Sequence, residues 1–207
     1  MLKECSEVED VFFNIDKIKV EDVITKINLI NPHTRKKEYL YTLLKIAFKL
    51  KPFHKNQIEK IAEFLSSKYN DSVKYILKGF NNNNISFPKD SIEFSILNND
   101  FERFLSLSTD ESILKKKIEN SFIEYSPLNF SAFCGNIQVF NHLLINGFEI
   151  TEKTIVNAVK GGNLEIIEII KQKGFSLEEY FYIAVEYHRN DIAKWIYEEN
   201  SKRLHLL

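Results

Sequence analysis

The chain has 207 residues, of which 44% are hydrophobic and 28% charged, with a formal net charge of -1 and a pI near 6.5. That length can bury a real core, but the charge balance lacks the clustered excess of Lys and Arg that neutralises phosphates, so no nucleic-acid partner is expected. With 6 Gly and 4 Pro, the chain is too poor in turn residues for an all-β fold, and helices joined by short loops are expected instead.

Met1 to Phe13 is acidic and has no apolar stretch of the signal-peptide kind, and no apolar run approaches the roughly 20 residues of a membrane span. Cys5 and Cys134 are too few for a secreted disulfide scaffold of this size, so reduced thiols and a cytoplasmic location are expected. Val20 to Ile30 reads as a first helix. After Asn31-Pro32, the spacing of Leu40, Leu43, Leu44, Ala47 and Leu50 predicts a second helix, ended before Pro52. Gln57 to Tyr69, with Ile58, Ile61, Ala62 and Leu65, predicts its antiparallel partner, and Ser72 to Leu77 a short helix. Residues 1–80 are thus an N-terminal helical region, and 81–89, opening on Asn81 to Asn84, reads as a linker.

The second half repeats. Gly135 and Gly162 are 27 residues apart, as are Gly147 and Gly174. Steps of 36 before this interval and 26 after it extend the alignment. One column reads Ser95, Ser131, Ala158, Ala184, all small. Another reads Ile92, Leu128, Ile155, Phe181, all large and apolar. Small residues let first helices approach closely, and the apolar columns supply a core shared between stacked helix pairs. Asp100, Asn136, Asn163 and Arg189 head the second helices, where Asp or Asn is an N-cap. Gly147 and Gly174 close second helices, and Asn200 takes that role in the last pair. Ser126-Pro127, Asp90-x-x-Glu93 and Ser176-x-x-Glu179 read as helix starts. The pairs span 90–125, 126–152, 153–178 and 179–200, leaving 201–207 as a tail.

Ser126, Pro127, Leu128, Ala132, Gly135, Leu143, Leu144 and Gly147 together resemble the ankyrin consensus Thr-Pro-Leu-His-x-Ala-Ala-x-x-Gly, continued by Leu-Leu-x-x-Gly. Asn129 stands where that consensus has His, Ser131 where it has Ala, and Phe148 where it has Ala. An ankyrin repeat has about 33 residues, so steps of 27 and 26 imply that the β-hairpin finger is missing at the last two junctions. The longer interval through Thr109 to Tyr125 holds either a distorted finger or an extra turn. A helical front followed by degenerate repeats is similar to the divergent ankyrin-repeat proteins of large protist families, whose N-terminal domain is of unknown function. The expected fold is therefore all-α: an ankyrin-like solenoid of short helix-turn-helix repeats, mostly without fingers, behind an N-terminal helical region.

Chemistry is sparse. His33, His54, His142, His188 and His205 form no zinc-ligand spacing; His142, aligned with Ile169 and Trp195, reads as a packed residue, and His188 falls in the glycine column of the inter-helix turn. Cys134 has no positioned base, and no phosphate-binding glycine motif occurs. Neither a cofactor nor a metal is expected. Arg35-Lys36-Lys37 and Lys115-Lys116-Lys117 are offset by nearby acids and read as solvated faces. The expected function is a non-catalytic protein-protein interaction scaffold, with no membrane partner. Its candidate surface is the concave face of the first helices, at Phe94, Leu97, Phe130, Phe133, Lys160, Ile183, Glu186 and Tyr187. Phe130 and Phe133 read equally well as residues packed between neighbouring repeats. The alternative is an enzyme or effector with its site in the N-terminal helices. At the C-terminal end, Trp195 and Ile196 either seal the stack or leave it open to a longer array or to self-association.

Overall fold

The computed structural model describes residues 2–15, 17–29, 37–51, 54–77, 87–109, 114, 118–120 and 123–204. Their regular structure is helical apart from one short pair of strands. The chain divides into two compact units, Met1–Ser86 and Phe87–Leu207. Asn31, Pro32, His33, Arg35, Lys36, Asn81 to Asn84, Lys115 to Lys117 and His205 lie outside the described residues.

The first unit holds α1 (Leu2–Phe13), α2 (Val20–Leu29), α3 (Lys37–Leu50), α4 (Lys55–Tyr69) and α5 (Val73–Ile76). Helix α1 was not expected from the acidic composition of its sequence. Its packed face is nonetheless periodic, since Val8, Val11 and Phe12 are buried at helical spacing, and Ile15 in the turn that follows continues the pattern. Helices α1, α2 and α4 each pack on a neighbour within this unit, and α3 packs on both α1 and α4. Ile58, Ile61 and Leu65 of α4 are wholly buried with Leu44 of α3, each contributing about 1.5–3 kcal/mol of apolar burial. Asn70 closes α4 in the left-handed conformation, and the Ser72 hydroxyl caps α5 by accepting from the Tyr75 N–H.

The second unit is a succession of helix pairs. They are α6 (Ile92–Leu97) with α7 (Phe101–Leu107), α8 (Pro127–Cys134) with α9 (Ile137–Ile145), α10 (Glu152–Gly161) with α11 (Leu164–Gln172), and α12 (Phe181–Glu186) with α13 (Asn190–Leu204). The first helices pack one on the next, α6 on α8, α8 on α10 and α10 on α12. Between α7 and α8 lie β1 (Ile118–Asn120) and β2 (Ile123–Tyr125), antiparallel with Ile118 opposite Tyr125. The long interval therefore carries a strand pair, and the connections after α9 and α11 carry none among the described residues.

The small column is the contact line. Ser95, Ser131, Ala158 and Ala184 are completely buried. The two serines turn their hydroxyls onto their own helices, donating to Ile92 O at 2.7 Å and Leu128 O at 2.8 Å. So satisfied, they pack as alanines do. The turn inside each pair places one residue in the left-handed region: Asn99, Gly135, Gly162 and His188, at φ 55°, 71°, 73° and 52°. Asn and His tolerate that conformation better than most residues, which is why the glycine column survives without glycine at its ends.

The second helices are capped by residues that also reach backwards. Asn136 accepts from the Val139 N–H and donates through Nδ2 to Ile96 O at 3.0 Å. Asn163 accepts from the Ile166 N–H and donates to Gly135 O at 2.9 Å. Arg189, buried, donates through Nε to Lys160 O at 2.8 Å. Asp100, in the first pair, accepts from the Arg103 N–H.

Four readings of the sequence are corrected. Ser91, not Asp90, caps α6, accepting from the Phe94 N–H. Ser176 caps nothing: the last pair opens with a 3-10 turn, Glu178–Tyr180, whose N-cap is Leu177. Helix α13 runs through Asn200 to Leu204, so Asn200 does not close it. Phe181 breaks its buried apolar column, being 41% exposed.

Gly161 marks the closest approach of α10 to α8. A Cβ built there would lie 2.4 Å from Ala132 O and 2.6 Å from Phe133 O, both backbone atoms that cannot rotate away. Gly161→Ala should lower the urea midpoint, because overpacking of about 1–3 kcal/mol outweighs the roughly 1 kcal/mol of helix propensity that Ala returns. Ala184→Ser, a change the same column already makes twice, should shift it far less. Equal midpoints for the two variants would contradict this account of the contact line.

Candidate functional site

The expected concave face is built from the last two turns of each first helix. Capping fixes those helices in register: Ser126 accepts from the Asn129 N–H with Pro127 at the first helical position. Thr151 and Thr154 form a reciprocal capping box at α10. The Thr154 hydroxyl also donates to Asn129 Oδ1 at 2.7 Å, both residues being buried. The Asn that stands in place of the consensus His thus ties α8 to α10.

Six of the eight candidate residues reach the surface. Phe94, Leu97, Phe133, Lys160 and Tyr187 are half-buried and Glu186 is exposed. Phe130 and Ile183 are corrections. Phe130 is wholly buried, edge-to-face with Phe87 at 5.4 Å between ring centroids, and Ile183 is 5% exposed. Asn157, in the same column, is also buried and donates to Lys153 O. From α8 onward that column therefore turns into the core, Phe94 on α6 alone reaching the surface from it, and the next one, Leu97/Phe133/Lys160/Glu186, forms the visible edge.

Two contacts organise the far end of this face. Lys160 Nζ stands 4.8 Å from the centroid of the Tyr187 ring, a cation-π contact between α10 and the end of α12. The Lys160 carbonyl takes the Arg189 hydrogen bond. Gly161, next in the chain, is buried against the backbone of α8. Cys134 is half-buried in the column that contains Gly161 and Tyr187.

His142 is a packed residue, edge-to-face with Phe101 and Phe104, each at 5.8 Å. His188 takes the left-handed turn position. Among the described residues no group of three His, Cys, Asp or Glu is placed to hold a metal ion, and no helix is long and apolar enough to cross a membrane.

The first unit carries one polar cluster that sequence reasoning missed, because its members lie far apart in the chain. Asp71 Oδ2 accepts from Lys37 Nζ at 2.7 Å and from Tyr41 OH at 2.8 Å. The Ser66 hydroxyl donates to Asp71 O at 2.6 Å. Tyr69 and Tyr75 stand edge-on to Tyr41, 6.3 and 6.4 Å away. The hydrogen bonds from Lys37 and Tyr41 hold the Asp71 carboxyl below its ordinary value. Burial, and then the bond to Asp71, push the Tyr41 phenol well above its own. A carboxylate already satisfied by two donors is a poor base, and the cluster's evident effect is to tie α3 to the turn before α5.

A family model described as a domain of unknown function (DUF3447) matches residues 145–206. The match runs from the last residue of α9 through α13, within the second unit. Searches of curated proteins and of solved structures find no match.

The Tyr41 shift has a definite sign. A phenol whose pKa is raised on folding is favoured neutral, so its contribution is intact below the ordinary value near 10 and lost as pH rises beyond it. The midpoint of unfolding should therefore fall progressively as pH rises above about 10, and Tyr41→Phe should flatten that alkaline limb. An unchanged limb in the variant would contradict the assignment.

Proposed function

We propose that the second unit is an ankyrin-like repeat stack acting as a non-catalytic protein-protein interaction scaffold. Its partner docks on the face made by Phe94, Leu97, Phe133, Lys160, Glu186 and Tyr187. The observation that carries this reading is the register of the first helices. Their small column is completely buried while the neighbouring column, Leu97/Phe133/Lys160/Glu186, reaches the surface on all four first helices, half-exposed on three and exposed at Glu186. A rigid row of aromatic, apolar and charged side chains is what an interface hot spot requires, and the Lys160–Tyr187 contact pre-orders part of it. The resemblance to ankyrin repeats at Ser126 to Gly147 supports the same reading, as does the absence of a helix able to cross a membrane among the described residues; a cytoplasmic site of action fits both. The satisfied Asp71 cluster gives little support to a catalytic site in the first unit.

The test is affinity capture followed by binding measurements with wild type, Phe133→Glu and Tyr187→Lys, each checked for native helix content. A partner of this face should bind both variants at least about tenfold more weakly, the scale of a lost hot spot. A specific partner that binds all three proteins equally would remove the face from the proposal.

A further inference from the structure

Asn146 and Gly147 form the single Asn-Gly step of the sequence, and they stand where α9 ends. Asn146 is its C-cap, at φ -86° and ψ 19°, and Gly147 follows at φ 85°. Both are exposed. The equivalent end of α11 has Lys173 before Gly174, so the step belongs to the second pair.

An Asn followed by Gly carries its own electrophile and nucleophile. The main-chain nitrogen of Gly147 attacks Cγ of Asn146 and closes a succinimide ring. The Cγ–Nδ2 bond breaks, and Nδ2 leaves as ammonia with the proton of the Gly147 N–H. Water then opens the ring. Addition at Cγ leaves an aspartate at position 146, and addition at the main-chain carbonyl leaves an isoaspartate, whose backbone runs through Cγ and is one carbon longer. A side chain on the following residue crowds ring closure. Gly147 has none, and a Cβ built on it would meet nothing within 4 Å. Asn136 and Asn163, by contrast, are followed by Ile137 and Leu164, and each amide is held by bonds at both its oxygen and its nitrogen.

The folded turn gates this chemistry without blocking it. Asn146 Nδ2 donates to His142 O at 2.7 Å, and the Gly147 N–H donates to Leu144 O at 3.2 Å. Ring closure needs rotation about ψ of Asn146 and the loss of both bonds. That is an opening of the last turn alone, and exposed helix ends open far more readily than packed helices. The product does not restore the turn. A carboxylate cannot donate to His142 O, and its charge sits at the carbonyl end of α9, where the helix dipole opposes an anion. One turn earlier, the His142 ring packs edge-to-face on Phe101 and Phe104 of α7. We propose that Asn146 is a self-modifying position: it deamidates in the folded protein and so loosens the end of α9 that seats on α7.

The test ages the full chain at mildly alkaline pH, natively and in urea, and follows wild type and Asn146→Gln residue by residue with fragment-ion mass spectrometry. In the native protein, position 146 should convert from amide to acid ahead of Asn136 and Asn163, giving both aspartate and isoaspartate. Conversion should be several-fold faster in urea, where no turn holds the amide. Asn146→Gln should keep its amide, because its longer side chain closes the ring far more slowly. Aged wild type should unfold at lower urea than fresh protein, and Asn146→Asp, which puts the charge in place directly, should do so without ageing. The proposal is overturned if position 146 keeps its amide in the native protein while the urea-unfolded chain loses it. It is equally overturned if no isoaspartate forms, or if Asn146→Asp unfolds at the same urea concentration as fresh wild type.

Discussion

Each helix pair of the second unit has to solve two problems with one residue. The first turn of its second helix exposes N–H groups without partners, and the last turn of the preceding pair's first helix exposes carbonyls without partners. Asn answers both, because its side chain has an acceptor and a donor on opposite corners. Asn136 and Asn163 give Oδ1 to their own helix and Nδ2 to the pair before. The exceptions follow the same logic. Asp100 heads the first pair and is seen accepting from its own helix. Arg189 reaches Lys160 O from a longer side chain laid against Gly162.

This backward bond sets the spacing on which the other features rest. It holds first helices close enough that only Ser or Ala fits between them, and that at Gly161 not even a Cβ fits. Close approach buries one column, leaves the next in a half-exposed row, and thereby makes a surface whose side chains cannot easily move.

Much of this was legible in the residue columns. The small column, the inter-helix turn column of Gly135, Gly162 and His188, and the capping role of Asn136 and Asn163 follow from periods and local preferences. Their second hydrogen bonds did not, because a bond spanning 28 or 40 residues leaves no local trace. Phe130 and Ile183 were placed on the inner face by analogy of column. Analogy carries position along a helix better than rotation about it, and a turn of one residue sends that column into the core. Helix α1 was hidden by its acidic residues although Val8, Val11, Phe12 and Ile15 carried the helical spacing. The Lys37–Tyr41–Asp71 cluster joins residues 30 and 34 positions apart, and nothing in any one segment announces it.

The backward bond can be removed while the cap is kept. Ser caps helices about as well as Asn, but its hydroxyl is too short to reach Gly135 O as well. Asn163→Ser should therefore lose about 0.5–1.5 kcal/mol in urea unfolding, the usual net worth of one hydrogen bond, and Asn163→Ala, which loses the cap too, clearly more. If Asn163→Ser were as stable as the wild type, the bond between pairs would not be what holds this succession of helices together.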